Sequence, residues 1–250
     1  MPPRYEVIGV EGLGEMHAGD DLARLIAEAA ARQDTAIQDR DVLVVSQKIV
    51  SKAEGRMLRL PDVTPSAIAA TLAVTLERDP RLVEVILRES RRIVRMDRGV
   101  LITETRHGWV CANAGVDQSN VDRDWVALLP EDPDRSARGL RERLRALSGA
   151  DVAIIVADTF GRPWREGLTN VAIGVSGMPP LESYLGQLDP AGRELQATIL
   201  AHADELASAA ELVMGKLSRV PVAIIRGLAF PVSEEGSKPL LRDPARDLFR

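Results

Sequence analysis

Apolar positions along the chain fall into short runs and interrupted stripes, with periods that switch between two and about 3.6 residues. Tyr5–Val10 alternates well enough for a first strand, interrupted by Gly12-Leu13-Gly14. Asp20-Asp21 then caps an Ala/Leu-rich stretch that predicts a helix to about Arg32. Asp41–Ser46 is a β-branched run between polar residues and predicts a buried strand. Thr64-Pro65 reads as a helix start, Thr at the cap and Pro at the first helical position, and Asp79-Pro80 repeats it before Leu82, Val83, Val85 and Ile86. Three short β-like pieces follow at Ile93–Met96, Val100–Thr103 and Trp109–Ala112. Glu131-Asp132-Pro133 opens a charged helix with Leu140, Leu144 and Leu147 on one side, ending at Gly149. Val152–Ala157 is the cleanest buried strand; helical patterning runs from about Gly192 to Met214, and Val222–Ile225 forms a last strand. Residues 235–250, rich in Asp, Arg and Pro, read as a peripheral tail.

Strands and helices mix without a regular βαβ rhythm, so an α+β fold of mixed sheets with packed helices is expected over a doubly wound one. Without a repeat, a low-complexity linker or a visible boundary, residues 1–250 are expected to form a single functional unit.

Composition narrows the chemistry. Hydrophobic residues make up 45% of the 250 residues, enough for a substantial core. The net charge of −5 without a basic run, and aromatics at only 3%, argue against nucleic-acid binding. Cys111 is the single cysteine, which excludes an internal disulfide and a thiolate zinc site. His17, His107 and His202 lie far apart, so any metal must be held mainly by oxygen ligands, favouring Mg²⁺ or Mn²⁺. The N-terminus has no apolar signal segment, and no apolar stretch approaches the roughly 20 residues of a membrane helix. A cytoplasmic protein without a membrane partner is therefore expected.

Neither standard phosphate cradle is present. Gly215-Lys216 lacks the upstream glycine and following hydroxyl of a P-loop, and Gly12–His17 has two of the three glycines of a dinucleotide fingerprint. Three other segments carry polar chemistry. Ala112–Asn120 follows a strand with small residues, an Asp and three amides, a composition that suits a phosphate–metal loop or an ordinary polar turn. Val156–Arg165 takes a buried strand out through Asp158-Thr159, where both side chains can bind one hard cation and Arg162 and Arg165 can clamp anions. The plainer alternative is a turn with two solvated arginines. Ser46–Arg56 places Lys48, Lys52 and Arg56 four residues apart, which on a helix makes either a triphosphate-facing surface or a solvated basic face.

Val50–Arg56, Ala112–Asn120 and Asp158–Arg165 resemble signatures of the coenzyme F420:L-glutamate ligase family. Gly12–Glu15 with Gly19–Leu22 is similar to its N-terminal motif, and Asp204–Ala207 through Val213–Lys216 and Val220–Ala223 to its C-terminal one. The likeness spans residues 5 to 230, in the stand-alone form without a nitroreductase-like domain. The resemblance implies a family-specific ligase fold, neither P-loop nor Rossmann, in an intertwined homodimer.

It further implies site roles. Gly12, Leu13, Gly14 and Glu15 would line a nucleotide, with Gln47, Lys48, Lys52 and Asn120 contacting it. Met214, Gly215, Lys216, Leu217, Ser218, Arg219, Val220 and Pro221 would close over it. Asp117, Asp158 and Thr159 would hold divalent metal; Asp117, Asp158, Arg162 and Arg165 would form the catalytic set. The chain departs from the family at Gly14, where proline is frequent, and at Lys216, where some relatives have a glutamine that reaches the metal; Lys216 is expected to contact phosphate instead. The implied reaction is GTP-dependent: an acyl phosphate forms on a deazaflavin precursor's lactyl phosphodiester tail, and L-glutamate displaces the phosphate. Mg²⁺ or Mn²⁺ would assist, with K⁺ as a further ion. The rival reading is a non-catalytic or regulatory module that binds GTP and metal.

Overall fold

The structure is a computed structural model, and it describes residues 2–119 and 121–247. In chain order, β1 (Glu6–Gly9), α1 (Leu22–Arg32), β2 (Val42–Ser46), α2 (Gln47–Ala53) and β3 (Met57–Arg59) lead to the helices α3 (Ala67–Leu76) and α4 (Pro80–Arg88). Next come β4 (Ser90–Asp97), β5 (Val100–Thr105), β6 (Val110–Ala112), β7 (Trp125–Ala127) and α5 (Pro133–Ser148). The chain continues through β8 (Ala153–Arg162), β9 (Arg165–Ser176), β10 (Glu182–Ser183), β11 (Ile199–Leu200), α6 (His202–Met214) and β12 (Val222–Arg226). The mixture is α+β, as the patterning predicts.

One five-stranded sheet, ordered β1-β12-β2-β8-β9, organises the molecule. Only β2 and β8 pair in parallel; the other neighbours are antiparallel. Every residue of β2 from Val42 to Val45 is apolar because both of its faces are covered. Leu43 and Val45 pack with Ile154, Val156, Ile224 and the Ile26 and Leu144 side chains of α1 and α5. Val42 and Val44 face the other way, with Ile155 and Ile225, onto Ala203, Ala207 and Ala210 of α6. Small residues on α6 let it lie close to the sheet. A second core unites α3 and α4 with β5 and β7 through Leu76, Val83, Ile86, Leu101 and Val126.

Caps mark several of the predicted boundaries. Asp21 accepts from Arg24 N at the start of α1, Asp79 from Arg81 N on α4, and Asp132 from Arg135 N on α5, which ends in left-handed Gly149. Four expectations need correction. The helix expected at Thr64-Pro65 begins two residues later, because Ser66 Oγ takes the Ala69 N–H while Glu84 accepts from Ser66 N. The helix expected from Gly192 begins only at His202, since a β10–β11 hairpin and a turn built on the Asp189 carboxylate occupy the preceding stretch. Arg56 does not continue the basic helical face: α2 stops at Ala53, Gly55 turns at φ +70°, and Arg56 pairs with Glu89 at 2.9 Å. Asp158 is not at a strand exit either, because β8 runs on to Arg162 and turns through Pro163 and Trp164 into β9. The sequence gives no clear sign of β9, because its first half is polar and exposed and Gly167 interrupts it.

Candidate active site

The site grows from the end of the parallel pair. Ser46 is in register with Ala157, so the next residue of β8, Asp158, stands beside the first turn of α2. That turn begins directly after β2 and carries Lys48. One residue further along β8, Thr159 donates its hydroxyl to Asn170 Oδ1 across the hairpin at 2.8 Å. Lys216, just beyond α6, reaches Thr159 Oγ1 at 3.0 Å.

Asp117 arrives from the opposite side. Its backbone bridges to Ala127 in both directions at 2.9 and 3.0 Å, which fixes the loop after Asn113–Gly115. Lys48 Nζ lies 2.8 Å from Asp117 Oδ2 and also donates to the Ser119 carbonyl and hydroxyl, each at 2.8 Å. Ser119 in turn donates to Asp117 through its N–H at 2.7 Å and its hydroxyl at 3.0 Å.

The two carboxylates sit differently. Burial pushes Asp117 up, but Lys48 and Ser119 outweigh it and hold the carboxyl below the usual range. Burial pushes Asp158 up to about 6; the neighbouring Asp117 charge adds to the rise, opposed by the Thr159 N–H and by Lys216 and Lys48. Cys111, buried nearby, is pushed up to about 12 by burial and by Asp158, so its thiol is unreactive.

Among the described residues no three of His, Cys, Asp and Glu cluster. The available donors are instead two carboxylates within electrostatic reach of each other and the hydroxyls of Thr159 and Ser119. That all-oxygen set fits a hard divalent ion, and a cation there would reverse the mutual repulsion that raises Asp158. Beside Asp117 opens a cleft of about 480 Å³, walled by Arg78, Asp79, Leu82, Asn113 and Gln118.

The structure thus gathers Lys48, Asp117, Asp158, Thr159 and Lys216. Lys52 lies one helical turn beyond Lys48 and pairs with Glu15, which links the Gly12–Glu15 loop to α2. Gly12, at φ +73°, accepts from Arg32 at 3.4 Å; Leu13 packs on the main core, and Gly14 is open to solvent on its Cβ side. Gln47 is buried and accepts from Ser51 Oγ at 2.9 Å. In the segment after α6, Met214 and Val220 are buried, Gly215 and left-handed Arg219 bend the chain, and Leu217 is exposed. Ser218 donates to the Met214 carbonyl, and Pro221 accepts from Ser46 N at 2.9 Å. Asn120 lies outside the described residues. Arg162 and Arg165 pair across the exposed tip of the β8–β9 hairpin, four and seven residues from Asp158, and do not join the cluster within one chain. The Arg162 guanidinium stays local, donating to the Glu166 and Gly167 carbonyls.

Sequence reasoning missed Asn170 because it missed β9. It also passed over Arg78, which looks like an ordinary charged residue between two helices.

The chain matches the sequence model of the family described as F420-0:Gamma-glutamyl ligase over residues 12–227. The chain belongs to that family. It is 52% identical over 241 residues to the coenzyme F420:L-glutamate ligase of Methanopyrus kandleri, covering 94% of each chain. It is 46% identical over 247 residues to the enzyme of that name from Methanothermobacter thermautotrophicus, covering 98% of each chain, and 41% identical over 250 residues to the one from Methanocaldococcus jannaschii, covering 99% of this chain and 97% of that one. The F420-0:gamma-glutamyl ligase match takes in the Gly12–Glu15 loop, α2, Asp117, both arms of the β8–β9 hairpin and Lys216, so the whole gathered cluster lies inside it. No helix among the described residues is long and apolar enough to cross a membrane.

Proposed function

We propose that this chain is a GTP-dependent ligase that adds L-glutamate, in successive gamma-linked steps, to the lactyl phosphodiester tail of the deazaflavin precursor of coenzyme F420. The observation that carries the reading is the near-complete match to ligases of that name, with two carboxylates and two lysines converging inside the matched region.

The chemistry requires anions to meet. A carboxylate on the precursor attacks the γ-phosphorus of GTP, the bond to the bridging oxygen of GDP breaks, and an acyl phosphate forms. The amine of glutamate then attacks the acyl carbon; inorganic phosphate leaves and the amine releases a proton. Mg²⁺ or Mn²⁺ at Asp117, Asp158 and Thr159, with K⁺ as a further ion, would supply charge neutralisation on the transferring phosphoryl group. Lys48 and Lys216, now paired with Asp117 and Thr159, would turn toward phosphate oxygens when nucleotide arrives. Lys52, the Gly12–Glu15 loop, Gln47, Asn120 and the Met214–Pro221 segment would frame the nucleotide. Arg162 and Arg165 would act from a second copy of the chain in a two-fold dimer, since their own hairpin carries them away from Asp158. Exposed Trp164 and Leu168 on the same hairpin support an arm that packs against another subunit.

Incubating the protein with precursor, GTP, Mn²⁺ and glutamate should yield precursor masses raised by one or more glutamyl residues. Stoichiometric GTP binding without such products would leave the non-catalytic module as the correct reading. Light scattering of the same sample should give about twice the 27.2 kDa chain mass, and a monomer at low micromolar concentration would remove the dimer.

A further inference from the structure

Between β6 and Asp117 the backbone takes an unusual path. Asn113, Ala114 and Gly115 follow one another at φ 55°, 54° and 71°, one turn of left-handed coil. L-residues avoid that region, Asn least and Ala more, so a run of three persists only where its surroundings impose it. Three contacts do so. A Cβ on Gly115 would lie 2.7–2.8 Å from the Leu129 side chain, so only glycine fits there. Ala114 is buried in the core shared with α4. Asn113 Oδ1 accepts from Arg78 Nη1 at 3.0 Å. The turn closes with Val116 N on the Asn113 carbonyl at 2.9 Å, and the next residue is Asp117.

Arg78 occupies the junction of α3 and α4, on the wall of the cleft that Asp117 also lines. It therefore ties the helical pair to the first residue of the strained turn. Asp117 is the carboxylate that Lys48 and Ser119 grip; Ala127 holds its backbone from one side, and the left-handed turn sets the path by which the chain enters it.

We propose that Arg78 is a positioning residue for ligation: through Asn113 it holds the left-handed turn that aims Asp117 into the site. The proposal rests on the functional reading above for its kinetic consequence, but its geometric consequence stands apart from it.

Arg78→Ala should lower kcat roughly 10- to 100-fold, the scale of a misplacement of about 1 Å, while KM for GTP and glutamate stays within about threefold. Asn113→Ala should act similarly. Asn113→Gly should lose less activity than Asn113→Ala, because glycine adopts this φ without support. In the Asn113→Gly background, Arg78→Ala should then cost little. Manganese titrations of the nucleotide-free protein, read by electron paramagnetic resonance, should follow the same order: weaker binding in Arg78→Ala, restored when Asn113→Gly is added. That second readout stays informative if the wild type makes no glutamyl product. An Arg78→Ala loss that persists undiminished in the Asn113→Gly background would overturn the proposal, as would a loss confined to the KM of glutamate. Should Arg78→Ala fail to fold, Arg78→Met, which keeps the side-chain stem and removes every donor to Asn113, provides the same cycle.

Discussion

A buried and a half-buried carboxylate stand at opposite ends of the parallel strand pair β2–β8, and the protein treats them in opposite ways. Asp41 precedes β2 and is 1% exposed; Arg226 of the neighbouring β12 clasps it through Nε at 2.8 Å and Nη2 at 2.7 Å, and Gln38 N adds a third donor at 2.8 Å. Asp158 lies past the other end of β2, on β8, with a Thr159 N–H at 2.8 Å and with two lysines that are themselves engaged elsewhere. Burial raises it to about 6. A carboxylate matched by a bidentate guanidinium is complete within the fold. One left short of counter-charge is suited to a cation that the chain itself does not contain.

The contrast breaks most sharply under charge removal. Asp158→Asn keeps the side-chain size, and ligation should fall by about 10³ or more, as when a preorganised transition-state group is lost. Yet the ligand-free protein should become more stable. Asp158 binds its proton more tightly folded than unfolded, so its burden on stability begins above the ordinary aspartate value of 3.8 and is complete above about 6. The substitution should therefore raise Tm at pH 8 by an amount corresponding to at most about 3 kcal/mol, with the gain fading toward pH 4. A folded Asp158→Asn protein with normal ligation, or with a Tm gain that grows as pH falls, would show that Asp158 is as complete as Asp41.

At the other end the sign reverses. Asp41→Asn leaves Arg226, at the end of β12, without its anion and should destabilise by about 3–5 kcal/mol. kcat per folded molecule should not change. Replacing both members with apolar residues should recover much of the loss, because the expense lies in a lone buried charge. Denaturant titrations of the two single variants and the double variant would decide it. A stable Asp41→Asn protein with impaired ligation would move this end of the sheet into the active site.

Only one of these ends was legible beforehand. Asp117 and Asp158 stand out because each follows a β-type run among small or hydroxyl residues, and Lys48 because it recurs with Lys52 and Arg56 every four residues. Asp41 read as a polar boundary of a strand, and nothing local joins it to Arg226, 185 positions away. That pairing exists only because β12 returns to lie beside β2. The same limit explains Arg162 and Arg165. Proximity in sequence to Asp158 suggests proximity in space, but β9, pairing with β8 out to Arg162 and Arg165, makes that segment an extended arm. Caps and apolar periods report local structure; the partners of a charge depend on which strands meet.

Lys52 tests where the boundary between complete and incomplete charges falls, with the smallest expected effect. It rises from α2 one turn after Lys48, its side chain 11% exposed, and pairs with Glu15, which is 68% exposed. If Lys52 belongs with Asp41, its pairing to the Gly12–Glu15 loop is its purpose, and Lys52→Ala should leave the GTP dependence of ligation untouched. The family resemblance places it with Asp158 instead, as a charge that exchanges one partner for a phosphate on binding. Lys52→Ala should then raise the GTP concentration for half-saturation about tenfold at low salt, equivalent to about 1.4 kcal/mol, with glutamate saturation unchanged. The loss should shrink as ionic strength rises from about 0.05 to 0.5 M, because mobile ions screen a charge at the protein surface. Glu15→Gln provides the control: it removes the competing anion, so GTP should bind no worse and, at low salt, somewhat better. A Lys52→Ala penalty that vanishes, or that Glu15→Gln reproduces, would assign this lysine to the architecture of the loop and not to the nucleotide.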